Sequence, residues 1–347
     1  MNDLKNLEEI KKLDPKNVLG STEMLVAQCE QILGDVKSFS LPREYSEVKN
    51  IVFSGMGGSA LGAQVVYYLY KDALSLPFYI NNDYSLPGFA DENTLVILSS
   101  YSGTTEETNA SAKEAMSRKC KITAITTGGQ LSDIMTSNNL PFLKFDPKNN
   151  PCGQPRLGTG YSVFGTIALL SKTGFLNVNE KSLLNSIAPI REYKEMIRDE
   201  GIRLAQNLKN RIPVIFSAEF LVGASHVLRN QFNETSKNFS TYSPLPELNH
   251  HLMEGLKNPK DKNLTVLFLE SELYSDKLKK RINLTKDVVE KNQIPYLSYK
   301  TGSPDKLGQA MEVLSLGGFL TFYLSILYDQ DPSLIPWVDY FKEQLKK

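Results

Sequence analysis

An α/β fold with parallel sheets, present as two copies, is predicted by three observations. Short β-branched runs alternate with helical patterns from residue 50 onward, which is the pattern of a parallel sheet with helices on both faces. Glycine- and hydroxyl-rich turns stand where two of those runs give way to helices. The strand pattern of the first half returns, weakened, in the second.

In the first half, strands are expected at Ile51 to Ser54, Pro77 to Ile80, Leu95 to Ser99, Ile122 to Thr126 and Phe142 to Phe145. A Pro- and Gly-rich stretch, Asp146 to Gly160, then redirects the chain into an apolar helix from Ser162 to Leu170. Charged helical sequence covers Glu180 to Lys209, and strands resume at Val214 to Phe216, Leu264 to Leu269 and Pro295 to Tyr299. The expected division is a helical segment at 1–45, a first domain at 46–160 carrying a phosphate site, and connecting helices with a second domain at 161–347.

Composition narrows the partners. Lys plus Arg and Asp plus Glu each number 39, so no net field attracts nucleic acid or an anionic membrane. Cys29, Cys120 and Cys152 lack metal-ligand spacing and are read as reduced thiols of a cytoplasmic protein, with no disulfide and no zinc site. Met1 to Ile10 reads as an amphipathic helix start with acidic residues, not a signal peptide. The apolar run Leu314 to Tyr328 is interrupted by Ser and Gly and reads as too short to cross a bilayer.

The turn Ser99-Ser100-Tyr101-Ser102-Gly103-Thr104-Thr105 follows Thr94-Leu95-Val96-Ile97-Leu98 and opens a helix. Hydroxyls backed by the free N–H groups of a helix N-terminus can surround a phosphate dianion. Thr104 and Glu107 also fit the spacing of a capping box, but capping needs one hydroxyl and this turn has several. A second turn, Ser54-Gly55-Met56-Gly57-Gly58-Ser59, has neither the Lys of a P-loop nor a G-x-G-x-x-G spacing, so a small phosphorylated molecule is expected before a nucleotide. Its counterpart, Ser217-Ala218-Glu219-Phe220-Leu221-Val222, has lost the glycines, setting Phe220 against Gly57. Carboxylates at Glu270 and Glu272 stand where the first copy has hydroxyls. A single phosphate site, in the first copy, is expected.

Acid–base candidates are few. His250 and His251 lie in a proline-bounded loop suited to delivering a side chain to a cleft, whereas His226 sits mid-helix and reads as structural. On the helix expected from Phe220 to Asn238, Glu234 lies one turn from Asn230 and Lys237.

In this order, the Gly55–Ser59 turn, Ser100 to Thr108, Pro155-Arg156, Asn233-Glu234, Pro246 to His250 and a helical Lys342 after Asp331-Pro332 resemble the bifunctional phosphoglucose/phosphomannose isomerase family across residues 50–347. The resemblance implies two sugar-isomerase (SIS) domains, each a three-layer αβα sandwich with a parallel sheet. It implies reversible conversion of glucose 6-phosphate to fructose 6-phosphate, with mannose 6-phosphate as a second aldose, and no metal or cofactor. By the same resemblance Gly57, Gly58, Ser59, Ser100, Ser102 and Thr105 would bind the phosphate. Glu234 would be the base, His250 the ring-opening residue, Arg156 the stabiliser of the enediolate and Lys342 a further cation. A homodimer is implied, with His250 contributed across the interface. Here Asn249-His250-His251 stands where the family has Asn-His-Asn, so both histidines remain candidates.

Those roles suit the chemistry. Ring opening needs a proton donor and acceptor, one carboxylate can carry a proton between C2 and C1, and the enediolate needs a fixed cation. Dual-specificity members carry a threonine seven residues before the lysine, where this chain has Ile335, which predicts weaker use of mannose 6-phosphate unless Ser333 supplies the hydroxyl. The alternatives are an SIS-domain isomerase for another phosphosugar and a non-catalytic phosphosugar sensor. The sensor has no need of the Arg156, Glu234, His250 and Lys342 set.

Overall fold

A computed structural model describes Leu4, residues 7–345 and Lys347. Apart from Leu4, the helix start expected over residues 1–6 lies outside the described residues. Helices α1 (Leu7–Leu13), α2 (Val18–Glu23) and α3 (Leu25–Asp35) precede the first sheet.

That sheet contains β1 (Asn50–Gly55), β2 (Phe78–Asn81), β3 (Thr94–Ser100), β4 (Lys121–Thr126) and β5 (Phe142–Lys144), ordered β2-β1-β3-β4-β5 with every pair parallel. Its central strands are apolar on both faces because helices cover both. Ile51, Phe53, Leu95, Ile97 and Ile125 face a core shared with α3, α4 (Leu61–Tyr70) and α7 (Thr159–Lys172). Val52, Val96, Leu98, Ile122 and Ala124 face the opposite way, against Ala112 and Ala115 of α5 (Glu106–Ser117) and Leu131 and Met135 of α6 (Gly129–Ser137). The alternation along each strand thus produces the three layers.

Helices α8 (Glu180–Glu192) and α9 (Lys194–Leu208) lead to the second sheet. It contains β6 (Ile212–Ala218), β7 (Thr241–Leu245), β8 (Leu264–Glu270) and β9 (Tyr296–Lys300), again all parallel, ordered β7-β6-β8-β9. Strand β7 is missing from the sequence reading because Thr241-Tyr242-Ser243-Pro244-Leu245 contains a proline. An edge strand tolerates it, and β7 pairs only with β6. The remaining helices are α10 (Val222–Glu234), α11 (Leu252–Gly255), α12 (Asp276–Lys291), α13 (Lys306–Leu327) and α14 (Pro336–Gln344).

The two halves meet where α4 crosses α10. A Cβ on Gly223 would stand 2.5 Å from the carbonyl oxygen of Gln64, so this crossing requires glycine. Helix α13 corrects the sequence reading: it begins at Lys306, runs for 22 residues and contains an 18-residue window of mean hydropathy 1.6, long and apolar enough to cross a membrane. Every residue from Leu307 to Leu327 is buried in the protein instead. Its polar start escaped the apolar pattern because Glu312 is buried yet satisfied, accepting from Tyr299 Oη at 2.7 Å and Ser303 Oγ at 2.6 Å.

Two further readings shift. The helix expected from Phe220 to Asn238 ends at Glu234, and Lys237 lies beyond it in the left-handed region (φ 52), so Glu234 and Lys237 do not share a helical face. The repeated turn matches one residue earlier than its sequence echo. Gly57 (φ 49) corresponds to Glu219 (φ 44), because the backbone requires its left-handed residue directly after the extended Met56 or Ala218.

Candidate active site

Two turns at the carboxyl ends of β1 and β3 are drawn together by glycine. A Cβ on Gly55 would stand 2.9 Å from Ser99 O; in the β3–α5 turn, one on Gly103 (φ 69) would overlap Gly128 O of the turn after β4 at 1.7 Å. Ser59 then ties them, its Oγ accepting the Tyr101 N–H at 2.8 Å and its carbonyl accepting Ser99 Oγ at 2.8 Å. Gly58 closes on the next segment, since a Cβ there would meet Arg156 N at 2.8 Å.

Within the β3–α5 turn the hydroxyls pair with one another: Ser100 Oγ with Thr105 Oγ1 at 2.9 Å, and Ser102 Oγ with Thr104 Oγ1 at 2.9 Å. The capping box of Thr104 with Glu107 is not formed. Thr105 is the N-cap residue, and no side chain caps α5. The first N–H groups of this helix and a cluster of hydroxyls therefore stand at one turn, donor types that can meet an anion.

Arg156 is fully buried and uses all five guanidinium donors. Nε donates to Thr235 Oγ1 at 3.0 Å, Nη1 to Gln154 Oε1 at 3.0 Å and to Glu234 Oε2 at 3.5 Å, and Nη2 to the carbonyls of Pro332 at 2.7 Å and Ser333 at 3.3 Å. Glu234, the last residue of α10, keeps 28% of its side chain exposed. It borders a cleft of about 410 Å³ also lined by Arg229, Asn230, Asn233 and Thr241. Burial pushes the Glu234 carboxyl above its ordinary pKa, while the charges of Arg156, Lys342 and Arg229 hold it down. Burial likewise lowers the guanidinium of Arg156, and Glu234 opposes that shift.

Lys342 lies on α14, exposed, with its charge felt at Glu234. Ile335 is half-buried at the N-cap of the same helix. Ser333 presents no hydroxyl to a ligand: it is buried, its Oγ donating to Asp331 Oδ1 at 2.7 Å. His250 is exposed at the end of the turn after β7, its side chain without a hydrogen bond or ion pair among the described residues. His251 lies 3.6 Å from Glu247. Neither histidine lines the Glu234 cleft or shifts its carboxyl. His226 accepts from Arg229 Nη2 at 2.6 Å and contacts Tyr242 Oη at 3.2 Å, with burial and Arg229 pushing its pKa down to about 4. Cys29, Cys120 and Cys152 are free, buried thiols, and among the described residues no cluster of His, Cys, Asp or Glu could hold a metal.

The sequence reading missed Gln154, Thr235 and the Pro332 and Ser333 carbonyls around Arg156. Gln154 and Thr235 adjoin residues already singled out, which was a usable signal. Backbone carbonyls from residues far along the chain leave none.

These features define the class first. Residues 44–139 match the SIS domain family, and residues 197–345 match the family described as the bacterial phospho-glucose isomerase C-terminal SIS domain. A hypothetical protein from Thermus thermophilus superimposes with a TM-score of 0.73 at 17% identity, covering 98% of this chain and 93% of that one. The bifunctional phosphoglucose/phosphomannose isomerase of Caldicellulosiruptor bescii is 30% identical over 89% of this chain and 93% of its own length. That of Aquifex aeolicus is 29% identical over 88% of this chain and 93% of its own. The chain belongs to the bifunctional phosphoglucose/phosphomannose isomerase family.

Proposed function

We propose that this protein interconverts glucose 6-phosphate and mannose 6-phosphate with fructose 6-phosphate through an enediolate, as the names of its relatives imply. The observation that carries the reading is the buried Arg156 beside the partly exposed Glu234, with Gly58 of the glycine turn after β1 packed on the Arg156 backbone.

Phosphate held by Gly57, Gly58, Ser59, Ser100, Ser102 and Thr105 fixes the far end of the sugar, so remote binding energy serves orientation at C1 and C2. Glu234 takes the proton from C2 and returns it to C1, or the reverse. Negative charge grows on O1 and O2 between those steps, and Arg156, already fixed by its own ligands, needs no reorganisation to meet it. Lys342 adds a second cation on the same carboxylate.

His250 opens the ring and comes from a second copy in a homodimer. Its exposure, away from its own Glu234 cleft, supports that arrangement. Ile335 near C2 offers no hydroxyl, and Ser333 is committed to Asp331, so mannose 6-phosphate is the weaker aldose. The enzyme serves carbohydrate metabolism in the cytoplasm and requires no metal or cofactor.

The test is Glu234→Gln in a coupled assay supplied with fructose 6-phosphate, both aldoses being monitored. Loss of a general base lowers turnover by about 100- to 10,000-fold with little change in sugar-phosphate binding. The base works ionised, so parent kcat falls as pH drops through a pKa above the ordinary carboxylate range. Parent-like turnover in Glu234→Gln ends the reading.

A further inference from the structure

The socket around Arg156 has two walls from distant parts of the chain. One is Thr235, just past the end of α10, and the other is the strap at residues 331–333 that leads toward α14. Besides Arg156 itself, Lys237 joins them. Lys237, turned back by its left-handed backbone, donates from Nζ to Thr235 O at 3.1 Å and to Asp331 O at 2.5 Å. Asp331 holds the strap internally, its Oδ1 accepting from Ser333 N at 2.7 Å and Ser333 Oγ at 2.7 Å.

An ammonium here is unfavourable in itself. Burial and the neighbouring Arg156 push Lys237 down to about 8, with Asp331 opposing. A methionine of similar length would fill the same volume without that penalty, yet would leave two carbonyls unmet and the strap unattached.

We infer that Lys237 is a positioning residue for the isomerisation: by joining Thr235 to the 331–333 strap, it keeps the Arg156 guanidinium fixed beside Glu234. The inference rests on the reading of Arg156 as the cation that meets the enediolate. Charge on the sugar oxygens grows only as the transition state is approached, so loosening Arg156 lowers kcat and spares KM.

The experiment compares Lys237→Met, Lys237→Arg, Asp331→Ala and Glu234→Gln in the full chain, with kcat, KM and the pH dependence of kcat measured on the folded fraction. Lys237→Met is expected to lower kcat about 10- to 100-fold, the size of effect that a small misplacement produces, with KM within about threefold of the parent. The acid limb of kcat should move to higher pH, because Arg156 holds the Glu234 carboxyl down and would do so less well. Lys237→Arg, which keeps charge and donors, should recover most of the turnover. If Lys237→Met does not fold, Asp331→Ala reads the same strap from its other end and should give the same split between kcat and KM. A parent-like kcat and acid limb in Lys237→Met or in Asp331→Ala, or a fall only in proportion to lost protein, overturns the positioning role. Glu234→Gln separates the two ideas: if it is inactive while Lys237→Met is parent-like, the function stands and only this inference fails.

Discussion

The turns that open α4 and α10 begin alike and end differently. In each, a strand runs into an extended residue, Met56 or Ala218, followed by a left-handed one, Gly57 at φ 49 or Glu219 at φ 44. At Gly57 the space is open: a Cβ there would meet nothing within 4 Å, Gly58 packs on the Arg156 backbone, and Ser59 reaches across to the Tyr101 N–H. After Glu219 the space is filled. Leu221 takes the place of Ser59, and the buried Tyr274 phenol accepts the Ala218 N–H at 3.2 Å while donating to Leu269 O at 3.2 Å.

The facing turns diverge in the same sense. Beyond β3 stand paired hydroxyls; beyond β8 stand Glu270 and Glu272, tied to Lys286 and to Lys279 and Lys300. One backbone plan therefore leaves an open space bordered by small polar groups in the first copy, and is closed by an aromatic ring in the second. Repetition of a fold does not imply repetition of its site.

The largest effect should come from Gly103→Ala, in the β3–α5 turn that faces the open one, at its tight contact with the turn after β4. A Cβ at φ 69 adds about 1–2 kcal/mol of backbone strain, and its overlap with Gly128 O adds an overpacking cost of about 1–3 kcal/mol. Urea unfolding should show that loss, together with a rise in KM exceeding that of any single hydroxyl variant. Parent-like stability and KM would mean that the two turns need not touch.

Next come Ser102→Ala and Thr105→Ala. Hydrogen bonds to a charged group contribute about 1.5–3 kcal/mol each, so either change should weaken fructose 6-phosphate binding at least tenfold by calorimetry. If both bind as the parent does, the phosphate lies elsewhere, and the open turn is as structural as its filled counterpart.

How much of this was legible depended on whether a feature was local. The sheets were legible because Ile51-Val52-Phe53 and Val96-Ile97-Leu98 are continuous apolar runs buried on both faces. The hydroxyl-rich turn and the grouping of Arg156 with Glu234 and Lys342 were legible as spaced residue types, read through a family resemblance. Strand β7 was hidden by Pro244, and the start of α13 by polar residues whose partners lie on other segments. The socket of Arg156 was illegible for a stronger reason. Two of its ligands are carbonyls, which every residue possesses, and only the fold selects those of Pro332 and Ser333.

In the filled turn, Tyr274→Phe removes a hydroxyl that satisfies two buried backbone groups. Leaving a buried donor unmet costs about 1–3 kcal/mol, so the urea midpoint should fall while KM stays within twofold of the parent. A rise in KM without a loss of stability would show that this phenol serves the sugar site.

The smallest effect is expected from Glu219→Gly, which gives the second turn the residue type of the first. Three terms compete. Glycine relieves the left-handed strain at φ 44, roughly 1–2 kcal/mol. It also loosens the unfolded chain, which costs about 0.5–1 kcal/mol. The Ser275 N–H loses its acceptor, Glu219 Oε1 at 3.3 Å, a solvent-accessible bond at the low end of the usual 0.5–1.5 kcal/mol, about 0.5. The sum lies within about 1 kcal/mol of zero by urea unfolding, with kcat and KM unchanged, because Tyr274 and Leu221 still occupy the space that Gly57 leaves open. A glycine there that changed KM for the sugar phosphate several-fold would place the second turn in contact with substrate and end the distinction between an open copy and a filled one.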